Sequence, residues 1–287
     1  MTPALNRRGA GFMVLAMACF AVEDACVKSA AAIVPPSTVM IGFGLTAMAV
    51  FAALALIRGE RVLPPLSRGL AVRAGFELAG RLFYSLALAF SGLGVTSAIL
   101  QATPLVVVSG AVWVFGERVG WRRWTAIGLG LIGVLMVLRP SASGVTLSAL
   151  FALLGMIGFA GRDLATRAAP PTVTNAQLGV LGMGVLFLAG VVVAAVSGQM
   201  PVVPPVAAVG RILGAALFGV SAYAALTAAM RMGEVSVVTP FRYTRLVFAL
   251  GLAWMLFGEV PDAMMLAGSV LIVGSGLFTL ARGRRMV

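Results

Sequence analysis

Between Leu82 and Gly116 the chain runs for 35 residues without an aspartate, glutamate, lysine or arginine, and between Ala168 and Gly210 for 43. Runs of this length decide the solvent. A helix crossing a bilayer needs about 20 predominantly apolar residues, and in hydrocarbon only helices and closed barrels satisfy their own backbone. Further uncharged stretches cover Thr38 to Ile57, Trp124 to Leu138, Pro140 to Gly161, Ile212 to Met230 and Ala263 to Ala281. Of the 287 residues 61% are hydrophobic and 10% charged, against about a quarter charged in an average soluble domain. Too few charges are present to cover a water-facing surface, so the chain reads as an all-α integral membrane protein.

The longer runs must be divided. The stretch from Leu82 holds the end of one helix, a turn at Ser91-Gly92-Leu93-Gly94 and a complete second helix. The stretch from Ala168 is one helix between Ala169-Pro170-Pro171 and the proline-rich run Pro201 to Pro205. The pattern predicts ten transmembrane helices, at 10–30, 38–57, 71–91, 95–116, 122–139, 146–167, 176–196, 210–230, 235–258 and 262–281. Arg7 and Arg8 before an apolar stretch imitate a cleavable leader, but Glu23, Asp24 and Lys28 interrupt that stretch, and 10–30 is expected to remain as the first helix. Cys19 and Cys26 fall two turns apart on it, about 10 Å between Cα atoms, which no disulfide spans. They are expected to be packing residues.

The 21 basic residues against 9 acidic ones give a net charge of +12, but they stand singly between apolar runs rather than in a patch, which speaks against nucleic acid as a partner. A charge bias between the two membrane faces accounts for them. Counted over alternate connections and the termini, fourteen fall on one side, Arg73 among them, and three on the other, Lys28, Arg139 and Arg211. This places both termini in the cytoplasm, as an even number of spans requires.

Sliding the chain along itself by 139 residues aligns Phe20-Ala21-Val22-Glu23-Asp24 and Lys28 with Phe159-Ala160-Gly161-Arg162-Asp163 and Arg167. An offset of 142 aligns Phe115-Gly116-Glu117 with Phe257-Gly258-Glu259. The expected halves are residues 1–140 and 141–287, with five helices each. Five is odd, so the halves must enter the membrane with opposite orientation, as two inverted five-helix repeats.

Besides the basic residues assigned to the two faces, eight charged residues are read as lying within the membrane: Glu23 and Asp24, Glu77 and Arg81, Arg162 and Asp163, Arg242 and Arg245. Each costs roughly 2.5–3.5 kcal/mol at a bilayer centre on insertion scales. Four are acidic and four basic, so the set can neutralise itself by converging on one cavity between the halves. Glu77 and Arg81 share a helix face one turn apart and can pair. Glu77, Arg81, Arg242 and Arg245 are the first candidates for binding or gating a solute, since arginine forks suit a carboxylate. Asp24, Asp163 and Arg162 join them, with interhelical ion pairing as the alternative role. Tyr84, Gln101 and Tyr243 lie on the same helices and offer hydrogen-bonding tips to the same cavity. Glu117 and Glu259, at equivalent helix ends, are expected to cap or pair locally. Glu77 or Asp24 is the carboxylate through which proton coupling would run.

Several chemistries are excluded. The chain has no histidine, hence no imidazole relay or histidine-ligated metal. Gly128, Gly130 and Gly133 form GxGxxG, but no strand precedes them, and close helix packing is the expected use. No phosphate-binding GxxxxGK[ST] occurs, and nothing points to a bound cofactor.

At these residues the chain resembles the drug/metabolite transporter superfamily, in particular its EamA-type ten-helix members. The resemblance rests on the duplicated Phe-Ala-x-x-Asp at Phe20 and Phe159 and the Phe-Gly-Glu ends at Glu117 and Glu259. Trp121-Arg122-Arg123-Trp124, leading to Arg139-Pro140, is similar to the family's fifth helix. It implies a basket-like bundle in a bacterial inner membrane, carrying small polar metabolites by alternating access. Pro240-Phe241-Arg242-Tyr243 and the run to Asp262 look similar to a branch that includes S-adenosylmethionine uptake carriers. The Trp-Ser-Thr of aromatic amino acid exporters is absent, Val22-Glu23-Asp24 standing in its place.

The expected function is therefore secondary transport of amino-acid-like or otherwise zwitterionic metabolites, with uptake of S-adenosylmethionine or another nucleoside- or vitamin-like solute as the alternative. The partners expected are a small metabolite and membrane lipid. A membrane enzyme acting on lipid would need a cluster such as paired aspartates in a cytoplasmic loop, where this chain carries mainly arginine. A passive channel would show a uniformly polar helix face.

Overall fold

The computed structural model describes residues 3–65, 67–90, 99–138, 147–257 and 262–282. Among the described residues there is no strand, and ten helices longer than two turns carry the chain. They are α1 (Pro3–Ala31), α2 (Pro36–Ile57), α3 (Arg68–Phe90), α4 (Thr103–Phe115), α5 (Trp121–Leu138), α6 (Leu147–Ala168), α7 (Asn175–Ser197), α8 (Val206–Met232), α9 (Thr244–Phe257) and α10 (Ala263–Arg282). Each expected helix has its counterpart, although α1 begins at Pro3 rather than at residue 10. The turn expected at Ser91 to Gly94, the Arg139-Pro140 boundary and Glu259 lie outside the described residues.

Local chemistry sets the ends. Thr174 accepts from the Gln177 backbone N–H while the Gln177 side chain accepts from the Thr174 N–H, a capping box that starts α7. Gly116 and Gly198 stop α4 and α7 with φ of 63° and 66°, a left-handed turn that glycine adopts without strain.

The expected ninth helix, 235–258, is not continuous. A single α-turn, Val235–Val238, passes into a 3₁₀ turn, Thr239–Tyr243, before α9 begins. Pro240 lacks the N–H that a continuous ladder needs, and its ring opposes the preceding turn. Pro104 stands in the first turn of α4, just after a turn at Gln101-Ala102. Thr103-Pro104 and Thr239-Pro240 thus each stand at a helix start that follows a turn, a recurrence of Thr-Pro that the pattern above overlooks.

The main helix pairs are α1 with α8, α3 with α6, α2 with α7 and α5 with α10. Smaller contacts join α1 to α9 and α4 to α6, and α2 to α8 and α3 to α7. The α3–α6 crossing is a backbone contact, for a Cβ added at Gly158 would lie 2.5 Å from the Gly80 nitrogen. Two of the GxGxxG glycines serve packing as expected, for a Cβ at Gly130 would meet the Tyr243 ring at 2.4 Å and one at Gly133 the Gly268 carbonyl oxygen at 2.7 Å, whereas a Cβ at Gly128 would meet nothing within 4 Å. Cys19 and Cys26 are half-buried free thiols. Leu15, Leu45, Leu56, Ile132, Leu217 and Leu277 point outward and are at least half exposed, an apolar perimeter suited to lipid. By length and composition α1, α2, α7 and α8 can each cross a membrane.

The connections sort into two ends. At one, Asn6 bonds Glu234, Glu117 reaches Val235 and Ser236, Arg123 meets Glu234, and Gln177 bonds the Arg61 carbonyl. At the other, Thr38 accepts from the Val202 N–H and Arg211 donates to the Ser29 carbonyl. Among the described residues the first end is laced by charged side chains and the second is sparse, with the connections 91–98, 139–146 and 258–261 of that second end outside the described residues.

Candidate functional site

Arg73, Glu77 and Arg81 occupy one face of α3 at intervals of four residues; α6 packs against α3, and Tyr223 of α8 reaches the same face. Glu77 is completely buried. Its Oε2 accepts from the Tyr223 hydroxyl of α8 at 2.8 Å and lies 3.4 Å from Arg73 Nη2. Its Oε1 lies 3.3 Å from Arg81 Nη2 and 3.4 Å from Arg162 Nη1 of α6. One carboxylate therefore sits among three guanidinium groups and a phenol. Arg73 also donates through Nε to Thr166 Oγ1 at 2.9 Å and through Nη2 to the Tyr223 hydroxyl, while its Nη1 is buried with no hydrogen-bond partner.

The cluster continues across α6. Arg162 Nε stands 2.7 Å from Asp163 Oδ1, and the other Asp163 oxygen accepts from Arg242 in the 3₁₀ turn. The guanidinium of Arg162 also lies over the rings of Phe159 and Tyr223, 5.7 and 5.8 Å from their centroids. The gap lined by Arg73, Arg162, Asp163, Thr166, Tyr223 and Thr227 does not admit a water-sized sphere. Toward the sparse end the character changes. Asp24 of α1 receives two Arg245 nitrogens, Nε at 2.9 Å and Nη2 at 2.6 Å, and its side chain is 53% exposed. Arg245 lies 5.1 Å above the Phe20 ring. Glu23 beside it keeps Oε2 buried without a partner.

The sequence-derived candidates divide accordingly. Glu77, Arg81, Arg162, Asp163 and Arg242 form one connected network, and Asp24 with Arg245 forms a second, more open pair. Tyr84 is half-buried, edge-on to Phe159 with centroids 6.2 Å apart. Gln101 is half-buried in the turn before α4. Tyr243 points elsewhere: it is fully buried against Gly130 and donates to the Ile127 carbonyl at 3.4 Å. Arg73, counted above among the residues of one membrane face, is corrected by the structure to a fully buried position. The cause is the earlier start of α3 at Arg68, which places Arg73 in its second turn, facing α8. Tyr223 and Thr166 were missed as well. The signal for Tyr223 was present, as the single tyrosine of an otherwise apolar helix. Glu117 does cap, but it caps the distant turn at Val235 rather than its own helix, accepting at 2.9 and 3.0 Å.

Among the described residues no group of His, Cys, Asp and Glu is arranged to hold a metal ion. The described residues form instead a buried, arginine-rich ion cluster, contributed by α3, α6, α8 and the 3₁₀ turn before α9, beside the half-exposed Asp24–Arg245 ion pair.

Comparison with known proteins agrees with this geometry. The model of the EamA-like transporter family matches the chain twice, over residues 7–139 and 144–281. A riboflavin transporter of Rhizobium johnstonii is 28% identical over 66% of this chain and 62% of its own length. The pseudopaline exporter CntI of Pseudomonas aeruginosa is 27% identical over 94% of both chains. An S-adenosylmethionine uptake transporter of Rickettsia prowazekii is 26% identical over 62% of this chain and 60% of its own. The chain thus spans under two thirds of the riboflavin and S-adenosylmethionine transporters it matches. One crystal structure superposes with a TM-score of 0.84 over 98% of this chain and 99% of its own at 18% identity, which establishes the shared fold. The family and these relatives are transporters rather than enzymes, and the chain, a multi-pass membrane protein, belongs to the EamA-like transporter family.

Proposed function

We propose that the chain is a secondary transporter that moves small polar metabolites, amino-acid-like or carboxylate-bearing, across the bacterial inner membrane by alternating access. The observation that carries this reading is the Glu77 cluster, a buried polar site inside the helix bundle, with the Asn6, Glu117, Arg123 and Glu234 lacing toward one end of it and the half-exposed Asp24–Arg245 pair toward the other. A channel would be open at both ends, whereas a carrier is closed at one. The arginine bias puts the laced end and both termini in the cytoplasm, so this arrangement faces outward.

The inverted repeat, with halves 1–140 and 141–287, is part of the same reading. Its support is the exchange of partners: α1 pairs with α8 as α6 pairs with α3, α1 touches α9 as α6 touches α4, and α2 touches α8 as α7 touches α3. Advancing each of these helices by five reproduces these pairs, as a two-fold axis between the halves would, although the α6–α8 contact has no α1–α3 counterpart of like size. Broken helices at corresponding places, here at Pro104 and Pro240, are the usual construction of binding sites in such carriers. The names of the relatives favour a second reading, uptake of a nucleoside- or vitamin-like solute.

Counterflow in proteoliposomes tests the transport reading. Labelled amino acids, riboflavin and S-adenosylmethionine are offered to vesicles preloaded with the unlabelled compound. Saturable uptake that overshoots equilibrium for one class, lost in Arg81→Ala, is expected. Flux that never saturates and shows no overshoot makes the protein a pore, and the proposal fails.

A further inference from the structure

We infer that the turn between α4 and α5 is a binding site for an anionic phospholipid, with Arg118 and Arg122 taking the phosphodiester and the tryptophans on either side of the turn lying along the lipid. The inference needs the bundle to cross a membrane; it does not need the transport reading above.

The tryptophans set the depth. The chain has four, and three of them flank this one turn: Trp113 in the last turn of α4, and Trp121 and Trp124 in the first turn of α5. They are 90%, 71% and 37% exposed. An indole on the outside of a membrane bundle settles at the interface, its apolar body toward the acyl chains and its N–H toward the headgroups. Residues 116–120 therefore lie at headgroup level.

Charge comes next. The segment carries Glu117, Arg118, Arg122 and Arg123, and two of these are used inward. Glu117 accepts from the Val235 and Ser236 N–H groups, and Arg123 pairs with Glu234 at 2.9 Å and donates to Ser236 Oγ at 2.7 Å. Arg118 and Arg122 face outward, and among the described residues neither has an acidic partner. Arg122 is held 5.4 Å above the Trp121 ring, beside an indole that fixes the depth. Two cations left without an acid at headgroup level attract an anionic lipid.

There is also room. An open cleft of about 490 Å³ lies between Trp124 and the turn, with Val112 and Val119 as apolar wall and Arg118 as its charged part. Together these features fit an amphiphile. A soluble phosphate could use the arginines, but it would leave Trp113, Val114 and Trp121 uncovered.

Fluorescence quenching tests the site. In Trp254→Phe every remaining tryptophan flanks this turn, so emission of the purified protein in uncharged detergent reports on it alone. Brominated phosphatidylglycerol should quench at a concentration at least about tenfold below that needed with brominated phosphatidylcholine. Adding Arg118→Gln and Arg122→Gln should abolish the preference, while Arg58→Gln and Arg61→Gln, which remove the same charge from the exposed α2–α3 connection at the same end, should leave it intact. Equal quenching by the two lipids overturns the inference, and so does equal loss of preference in both double variants, which would reduce the effect to net charge. Glycerol phosphate in large excess should not displace the lipid; displacement would assign the arginines to a soluble phosphate and overturn the lipid assignment. The lipid comparison and the displacement need no arginine variant, so they decide the matter even where one does not fold. Failure of counterflow leaves this inference standing, and its own failure leaves the transport reading untouched.

Discussion

Asp24 and Asp163 occupy the same place in the duplicated Phe-Ala-x-x-Asp pattern, and each holds an arginine from the segment around the α9 break, Arg245 for one and Arg242 for the other. Their surroundings differ sharply. The Asp163 side chain is 1% exposed and that of Asp24 is 53%. The preceding residue explains much of this. Arg162 neutralises Asp163 from the adjacent position and extends the network to Glu77. Glu23 brings a second carboxyl group beside Asp24, and its Oε2 stays near Gly219 without a partner. A near-repeat in sequence has thus become one buried ion cluster and one accessible ion pair.

The largest test of that contrast is Asp163→Asn against Asp24→Asn. Removing the buried acid strands Arg162 and Arg242, a change that typically costs about 3–5 kcal/mol. The exposed pair is screened by water and should contribute less than about 1 kcal/mol. Unfolding of the two variants in detergent measures the difference, and equal destabilisation would remove the distinction between sealed and open sites.

Coupling sharpens it. Adding Arg242→Gln to Asp163→Asn removes the stranded cation and should recover roughly 1–3 kcal/mol, whereas Arg245→Gln added to Asp24→Asn should recover less than about 0.5 kcal/mol. A double-mutant cycle for each pair supplies both numbers.

What the sequence revealed follows the same divide. Uncharged run length and the positions of prolines and glycines are local signals, and they located the helices. The self-alignment drew attention to Asp24 and Asp163 because their motif is local too. The break at Thr239 was not legible: Pro240 lies inside the segment read as one helix, 235–258, and a proline there can bend a helix as readily as break it. Nor was the inward turn of Arg73, which depends on where α3 starts and on what α8 presents to it. Tyr223 Oη, Thr166 Oγ1 and Glu77 Oε2 come from three helices distant in sequence, and no spacing rule unites them. Tyr243 shows the opposite failure, for it lies beside Arg242 in sequence yet is spent on filling the space opened by Gly130.

The two ends of the molecule form a second comparison. Glu117→Ala leaves the Val235 and Ser236 N–H groups without their carboxylate cap and should cost about 1 kcal/mol. At the sparse end Arg211→Ala loses one exposed bond to the Ser29 carbonyl and should change stability by no more than about 0.5 kcal/mol. Melting temperatures of both variants decide whether the lacing holds one end shut more firmly than the other.

The smallest effect belongs to the aromatic residues that open the repeated motif. Phe159 supports Arg162, stands edge-on to Tyr84 and fills the space over Gly80, where an added Cβ would come 2.8 Å from its ring. Phe20 lies beneath Arg245 in a more accessible place. Phe20→Leu keeps most of the apolar bulk and gives up the cation–π contact, worth roughly 0.5–1 kcal/mol at an exposed site. Phe159→Leu gives up a contact of the same kind where water does not screen it, together with a packed ring, and should exceed it by at least about 1 kcal/mol. If the two leucine variants melt together, the environments of the two repeats are alike despite the exposure of Asp24, and the outward-facing assignment loses its physical basis.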